Sequence, residues 1–278
     1  MIALRLSTLV PLLPVLILSG YILVGFILFV ARVGHLPEAG FDREVEKRSA
    51  SPILGRLPRH FLMWMISPWE RQLVRIGVSP NAITIASFLI ACGSTIALAL
   101  GHFAIGGWLY LLAGILDVLD GRVARKTGRV TRGGAYVDSV IDRYVELVVL
   151  SGFAIFYRNS WALGVVLAAA IGSVMVSYAK ARGEGLGVDV NVGVMQRPER
   201  LFYLGIVTAT SPVVEALWGH GRFPPFVAAI FALAMLAASA NLTAVRRILH
   251  TMALLDGRPL SPTAERINEY EQGIFIRR

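Results

Sequence analysis

Apolar residues run along this chain in long, nearly unbroken blocks, separated by short polar or glycine- and proline-bearing connections. No stretch alternates polar and apolar positions with the period of two that a half-buried strand needs, so the blocks predict helices. The first covers about residues 9–31, and six more cover about 82–101, 104–124, 134–157, 161–181, 199–218 and 224–247. Each approaches or exceeds the roughly 18–20 residues that carry a helix across a bilayer. Residues 57–76 have a different texture: Phe61, Leu62, Trp64, Met65, Ile66, Trp69 and Leu73 alternate with Arg59, Glu70, Arg71 and Arg75. Tryptophan and arginine together at intermediate hydropathy predict a helix lying in the membrane interface. Pro68 is expected to bend it or start a new turn. Ser79-Pro80-Asn81 marks the start of the next helix, and turns are expected at Gly101-His102, Gly106-Gly107, Arg158-Asn159 and Gly219 to Pro225.

Composition turns this pattern into a class. Of 278 residues 55% are hydrophobic and only 16% charged, where a soluble domain has about 25% charged; mean hydropathy is +0.64. The chain therefore reads as an all-α, multi-pass integral membrane protein of about seven spans. The first block has one preceding arginine, lacks a small-x-small cleavage pattern and is followed by Arg32, so it reads as a retained span and not a signal peptide. Residues 1–56 then form an anchor with a charged linker, 57–250 the membrane domain, and 251–278 a polar tail. The net charge of +9 is assigned to cytoplasmic loops and anionic headgroups, not to nucleic acid. Arg122, Arg125, Lys126, Arg129 and Arg132 share one side with Lys180, Arg182, Arg197, Arg200, Arg246 and Arg247 if the spans alternate, and the other side holds only Arg5, Arg158 and Arg222. The bias predicts an inner-membrane protein with its amino terminus outside and its carboxyl terminus in the cytoplasm. Cys92 is the only cysteine, which excludes an internal disulfide and a thiolate metal site, and the five histidines show no ligand spacing.

Four aspartates interrupt the apolar blocks. Asp117 and Asp120 are three residues apart and Asp138 and Asp142 four, the separations that place side chains together on a helix face. One ionised carboxylate at a helix centre in lipid costs about 2.5–3.5 kcal/mol, so the four are expected to converge on a positive charge. Oxygen-only ligands suit hard ions such as Mg2+ or Mn2+. A divalent ion there offsets the charge of a pyrophosphate and of a departing phosphate. Arg125 adds a planar fork matched to phosphate, and Gly121, Ala124 and Gly134 keep the neighbouring groove open to a close-lying group.

The stretch Asp117-Val-Leu-Asp120-Gly121-Arg-Val-Ala124-Arg125, eight residues, then Gly134-Ala-Tyr-Val-Asp138-Ser-Val-Ile-Asp142 resembles the CDP-alcohol phosphotransferase signature at every fixed position. The resemblance implies a six-helix family core, here with an interfacial helix and one extra amino-terminal transmembrane helix, and homodimers by analogy. It implies that Asp117, Asp120, Asp138 and Asp142 hold the metal and that Asp142 is the general base. It further implies that Gly121, Ala124, Arg125 and Gly134 contact the CDP part of the donor, and that the active site faces the cytoplasm. Glu146, one turn beyond Asp142, is assigned a supporting or packing role. Residues 77–84, from Gly77 to Thr84, resemble the family's usual lead into its first span.

The acceptor rests on a second group. Ser177-Tyr-Ala-Lys180-Ala-Arg182-Gly-Glu184 and Arg197-Pro-Glu-Arg200-Leu201 look like the branch that makes phosphatidylinositol phosphate from CDP-diacylglycerol and inositol 1-phosphate. In that branch the acceptor phosphate is held by residues matching Lys180, Arg200 and Arg247, with adjacent Arg246 as the alternative to the last. Glycerol 3-phosphate is the next acceptor in line, since it also needs a phosphate pocket. From a different class, a cation-coupled transporter would use intramembrane aspartates but would need broken helices and internal repeats, and it leaves Gly121, Arg125 and Gly134 without a purpose.

Overall fold

The computed structural model describes residues 12–35, 56–190, 192–193, 197–218 and 224–257. Most of the charged linker, most of the turn expected at 219–225 and the polar tail after residue 257 lie outside the described residues. The described residues contain no strand and form eight helices: α1 Leu12–His35, α2 Arg56–Ile76, α3 Pro80–Ala99, α4 Phe103–Lys126, α5 Arg132–Phe156, α6 Ala162–Glu184, α7 Arg197–Trp218 and α8 Val227–Leu255. These follow the apolar blocks, with three local differences. Pro68 sits inside a continuous α2 and starts no new turn. Gly106-Gly107 forms no turn, because both glycines lie within α4 as packing positions. Helix α8 runs on to Leu255, since Leu249 and Met252 to Leu255 are good helix formers and the Arg246-Arg247 pair marks a polarity boundary, not a helix end. Ser79 caps α3 as expected, accepting from the Ala82 N–H at 3.3 Å.

Four helices, α3, α4, α6 and α8, are long and apolar enough to cross a membrane on composition alone, which suggests a multi-pass membrane protein. Their outward residues, among them Leu89, Ile96, Ile171 and Phe231, are exposed, as lipid-facing side chains are. Helices α5 and α7 fall short of that criterion because they carry charges, but Glu146, Glu199 and Arg200 are buried inside the bundle. Helix α4 is central: it packs against α3 on one side and α7 on another, α3 also meets α5, and α8 joins α6 to α7.

The α4–α7 crossing is a seam of small residues. A Cβ on Gly107 would lie 2.4 Å from the Ala209 backbone nitrogen, one on Gly205 2.7 Å from Leu111, and one on Gly114 2.4 Å from Leu201. Small residues let helix backbones approach closely enough for van der Waals packing to hold them in lipid. The pairs run antiparallel in step: residues 107, 111 and 114 of α4 face 209, 205 and 201 of α7. The next rung in that sequence is Asp117 with Arg197, at 2.9 Å.

Hydroxyls tie α4 to α3 in the same manner. Ser94 Oγ donates to the Gly106 carbonyl at 2.7 Å, Ser87 Oγ to the Ala113 carbonyl at 2.9 Å, and Thr84 Oγ1 to Asp120 Oδ2 at 2.6 Å. Helix α2 closes the remaining flank of α4. Its Ile66 packs with Leu119 and Val123, and Glu70, fully buried, receives Arg122 Nε and Lys126 Nζ, each at 2.8 Å. Removing one partner of a buried pair costs about 3–5 kcal/mol, so Glu70 pins α2 to the end of α4 that carries the aspartates. The far end of the bundle is sealed by aromatics: Phe103 stacks on Phe226 at 4.1 Å between centroids.

The seam is testable with two glycines of opposite surroundings. Gly107→Ala should lower stability by about 1–3 kcal/mol through overpacking. Gly164→Ala, on a helix with nothing within 4 Å of the new Cβ, should be neutral or gain up to about 1 kcal/mol. Thermal unfolding in one detergent, compared across both variants, reads the contrast.

Candidate metal and phosphate site

The two aspartate helices follow one another, α4 ending at Lys126 and α5 beginning at Arg132. Helix α5 begins where the Thr131 hydroxyl accepts the Gly134 N–H at 3.0 Å, an N-cap of the usual spacing. A Cβ on Gly134 would lie 2.9 Å from that hydroxyl, so the signature glycine leaves the cap its room. One turn further on stands Asp138, and one turn beyond that Asp142. On α4 the Thr84 hydrogen bond holds buried Asp120. A Cβ at Gly121 would lie 3.2 Å from Arg125 Nη1, so this glycine makes room for the guanidinium of Arg125 to fold back along its own helix.

Asp117, Asp120 and Asp138 converge. One oxygen from each lies within 4.8 Å of the others. Three converging carboxylate oxygens fit a hard divalent cation in donor type, and their approach within 4.8 Å of one another brings them near the spread that such an ion draws together. Asp142 stands outside the triad. Its Oδ1 forms an ion pair with Arg197 Nη2 at 2.7 Å without hydrogen-bond geometry, while Arg197 Nη1 donates to Asp117 Oδ2 at 2.9 Å. One guanidinium thus bridges the first and fourth aspartates of the signature.

Arg197 starts α7, and Arg200 follows one turn later. Arg200 Nη2 lies 3.6 Å from Glu146 Oε1, and Glu146 is one turn beyond Asp142 on α5. Two ion pairs, Arg197 with Asp142 and Arg200 with Glu146, therefore staple α7 to α5. Arg200 is 3% exposed, yet its Nε and Nη1 are buried without a hydrogen-bond partner among the described residues. Buried N–H groups without acceptors are costly, so Arg200 has donors to offer beyond its contact with Glu146.

The other two basic residues expected at the acceptor, Lys180 and Arg247, both make contacts at α6. Lys180 is 3.6 Å from Glu184 on its own helix. Arg247 Nε donates to the Val192 carbonyl and its Nη1 to the Val176 carbonyl, both at 2.8 Å, so Arg247 reaches α6 one turn before Lys180. Along the sequence Arg197 reads as a loop charge and Thr84 as part of a helix-start motif. Their partners lie far along the chain, beyond the reach of local spacing.

A sequence model of the CDP-alcohol phosphatidyltransferase family matches residues 77–256. The phosphatidylinositol phosphate synthase of Streptomyces avermitilis is 34% identical over 165 residues, 55% of this chain and 68% of that protein. The archaetidylinositol phosphate synthase of Methanothermobacter thermautotrophicus is 34% identical over 176 residues, 63% of this chain and 84% of that protein. Among solved structures, the Mycobacterium tuberculosis phosphatidylinositol phosphate synthase with CDP-DAG bound superposes with a TM-score of 0.56 at 30% identity, covering 67% of this chain and 92% of that one. The same enzyme in complex with manganese and citrate gives 0.57 at 28% identity, covering 66% and 87%. With the aspartate triad in place and a relative that binds manganese, the site is suited to a divalent ion. The chain belongs to the CDP-alcohol phosphatidyltransferase family and is a transferase of phospholipid synthesis.

Proposed function

We propose that this enzyme transfers a phosphatidyl group from CDP-diacylglycerol to the hydroxyl of a phosphorylated polyol, inositol 1-phosphate, releasing CMP. The observation that carries the acceptor is Arg200: a buried guanidinium with two N–H groups lacking acceptors among the described residues favours an anion, and a free alcohol would not supply one. The names of the relatives from Streptomyces avermitilis and Methanothermobacter thermautotrophicus support inositol phosphate over other phosphorylated alcohols. Glycerol 3-phosphate is the competing acceptor.

In this reading Asp117, Asp120 and Asp138 hold Mg2+ or Mn2+, with Asp142 at the edge of the same site. When bound, the ion offsets the charge of the pyrophosphate and of the departing CMP. Gly121, Ala124, Arg125 and Gly134 line the CDP moiety, with Arg125 facing its phosphates. Lys180, Arg200 and Arg247 hold the acceptor's phosphate and so orient its hydroxyl. Asp142 takes the hydroxyl proton. The freed oxygen then forms a bond to the β-phosphorus as the bond from that phosphorus to the oxygen of CMP breaks. Arg197 keeps the Asp142 carboxylate turned toward the site.

The reading also places the protein in the cell inner membrane as a multi-pass homodimer, the reaction facing the cytoplasm, with residues 1–56 as an anchor and 251–278 as a cytoplasmic tail. The basic residues at the site ends of α4, α6 and α8 support that orientation.

Two measurements test the assignment. Asp142→Asn should keep the fold and lower CMP release about 10²- to 10⁴-fold, the usual contribution of a positioned base. Arg200→Ala should raise KM for inositol 1-phosphate roughly ten- to a hundredfold, as expected for lost hydrogen bonds to a charged group, and leave the KM for CDP-diacylglycerol unchanged. Release of CMP with free inositol or serine alone, insensitive to Arg200→Ala, would remove the phosphorylated acceptor; release with glycerol 3-phosphate alone would replace it.

A further inference from the structure

We propose that Arg197 is a resident cation of the aspartate site, one that positions Asp142 and competes with the divalent ion for Asp117. The proposal rests on the reading of Asp117 as a metal ligand. Arg197 touches both the first and the fourth aspartate of the signature, at 2.9 Å from Asp117 Oδ2 and 2.7 Å from Asp142 Oδ1. Its second contact with Asp117, from Nη2 to Oδ1 at 3.5 Å, engages that carboxylate at both oxygens. An arginine cannot shed its charge by deprotonation, and both carboxylates are four-fifths buried or more, where charges are weakly screened.

Two consequences have opposite signs. As an orienting contact, Arg197 holds Asp142 in place and should be needed for turnover. As a positive charge against a metal ligand, it draws on the electron density that Asp117 offers an ion and repels that ion, so it should weaken metal binding. A device of this kind suits a site that must stay folded with and without its ion: four neighbouring aspartates would otherwise repel one another. Because Arg197 and Arg200 share one turn of α7, and their partners Asp142 and Glu146 share one turn of α5, the same staple also fixes the distance between base and acceptor-phosphate arginine.

A merely structural arginine predicts the contrary result for the metal, since its loss would let Asp117 drift and weaken the site. The test is a Mn2+ titration of the purified full-length protein in lipid nanodiscs, following free Mn2+ by electron paramagnetic resonance, for wild type, R197Q and R197K. R197Q should bind Mn2+ roughly three- to tenfold more tightly, the effect of deleting one partly exposed charge. Its kcat should fall roughly ten- to a hundredfold, with KM for CDP-diacylglycerol unchanged. R197K, whose single ammonium serves one carboxylate at a time, should shift affinity in the same direction by less, and it carries the test if R197Q fails to fold. Equal or weaker Mn2+ binding in the folded variants would overturn the proposal. Wild-type protein that binds no Mn2+ would overturn it together with the metal assignment, and a failed acceptor assignment shows only in the choice of alcohol.

Discussion

Negative charge buried in an apolar bundle is the constraint around which this protein is arranged. Asp117, Asp120, Asp138, Asp142 and Glu146 lie on two neighbouring helices, and lipid offers none of them a counter-charge. Side chains from other helices meet part of the need: Thr84 donates to Asp120, Arg197 bridges Asp117 and Asp142, and Arg200 faces Glu146. Arg143 also lies near Asp138, yet the carboxylates still outnumber these guanidinium groups. That excess is centred on the three aspartates whose oxygens approach within 4.8 Å. A divalent ion answers that excess.

Delivering the counter-charges is a problem of register, which glycine solves. Along α4, positions 107 and 114 are bare and α7 supplies Gly205, so the two backbones approach until only one antiparallel alignment avoids collision. That alignment brings Arg197 to Asp117. On the other side, serine and threonine hydroxyls of α3 bond along α4 and finish at Asp120. The third flank is closed by Glu70, whose two cations, Arg122 and Lys126, occupy variable positions in and beside the signature. Packing residues with no chemistry of their own thus set the geometry of those that have it.

Much of this was legible along the chain. The apolar blocks predicted the helices to within a few residues at most ends, because the number of residues that spans a bilayer leaves little freedom. The aspartate signature was legible because its members repeat at helical spacing on two successive helices, where sequence distance and spatial distance agree. The counter-ions were not. Arg197 meets Asp117 across 80 residues, and Glu70 meets Arg122 across 52. Periodicity tells which face of a helix is inward but not which helix it will face. Gly106-Gly107 was misread as a turn for the same reason: a glycine pair signals either backbone freedom or close approach, and only the partner helix decides between them. Arg247 was placed at the acceptor by resemblance; the structure shows in addition its two bonds to backbone carbonyls.

The most direct test is to locate the ion itself. A structure of the protein in lipid with Mn2+ and CDP-diacylglycerol, with anomalous scattering recorded at the manganese edge, should show a peak about 2.0–2.6 Å from one oxygen each of Asp117, Asp120 and Asp138, with the diphosphate against it and Arg197 beside Asp142. Aspartates splayed apart, with no anomalous peak between α4 and α5, would contradict the account at its base.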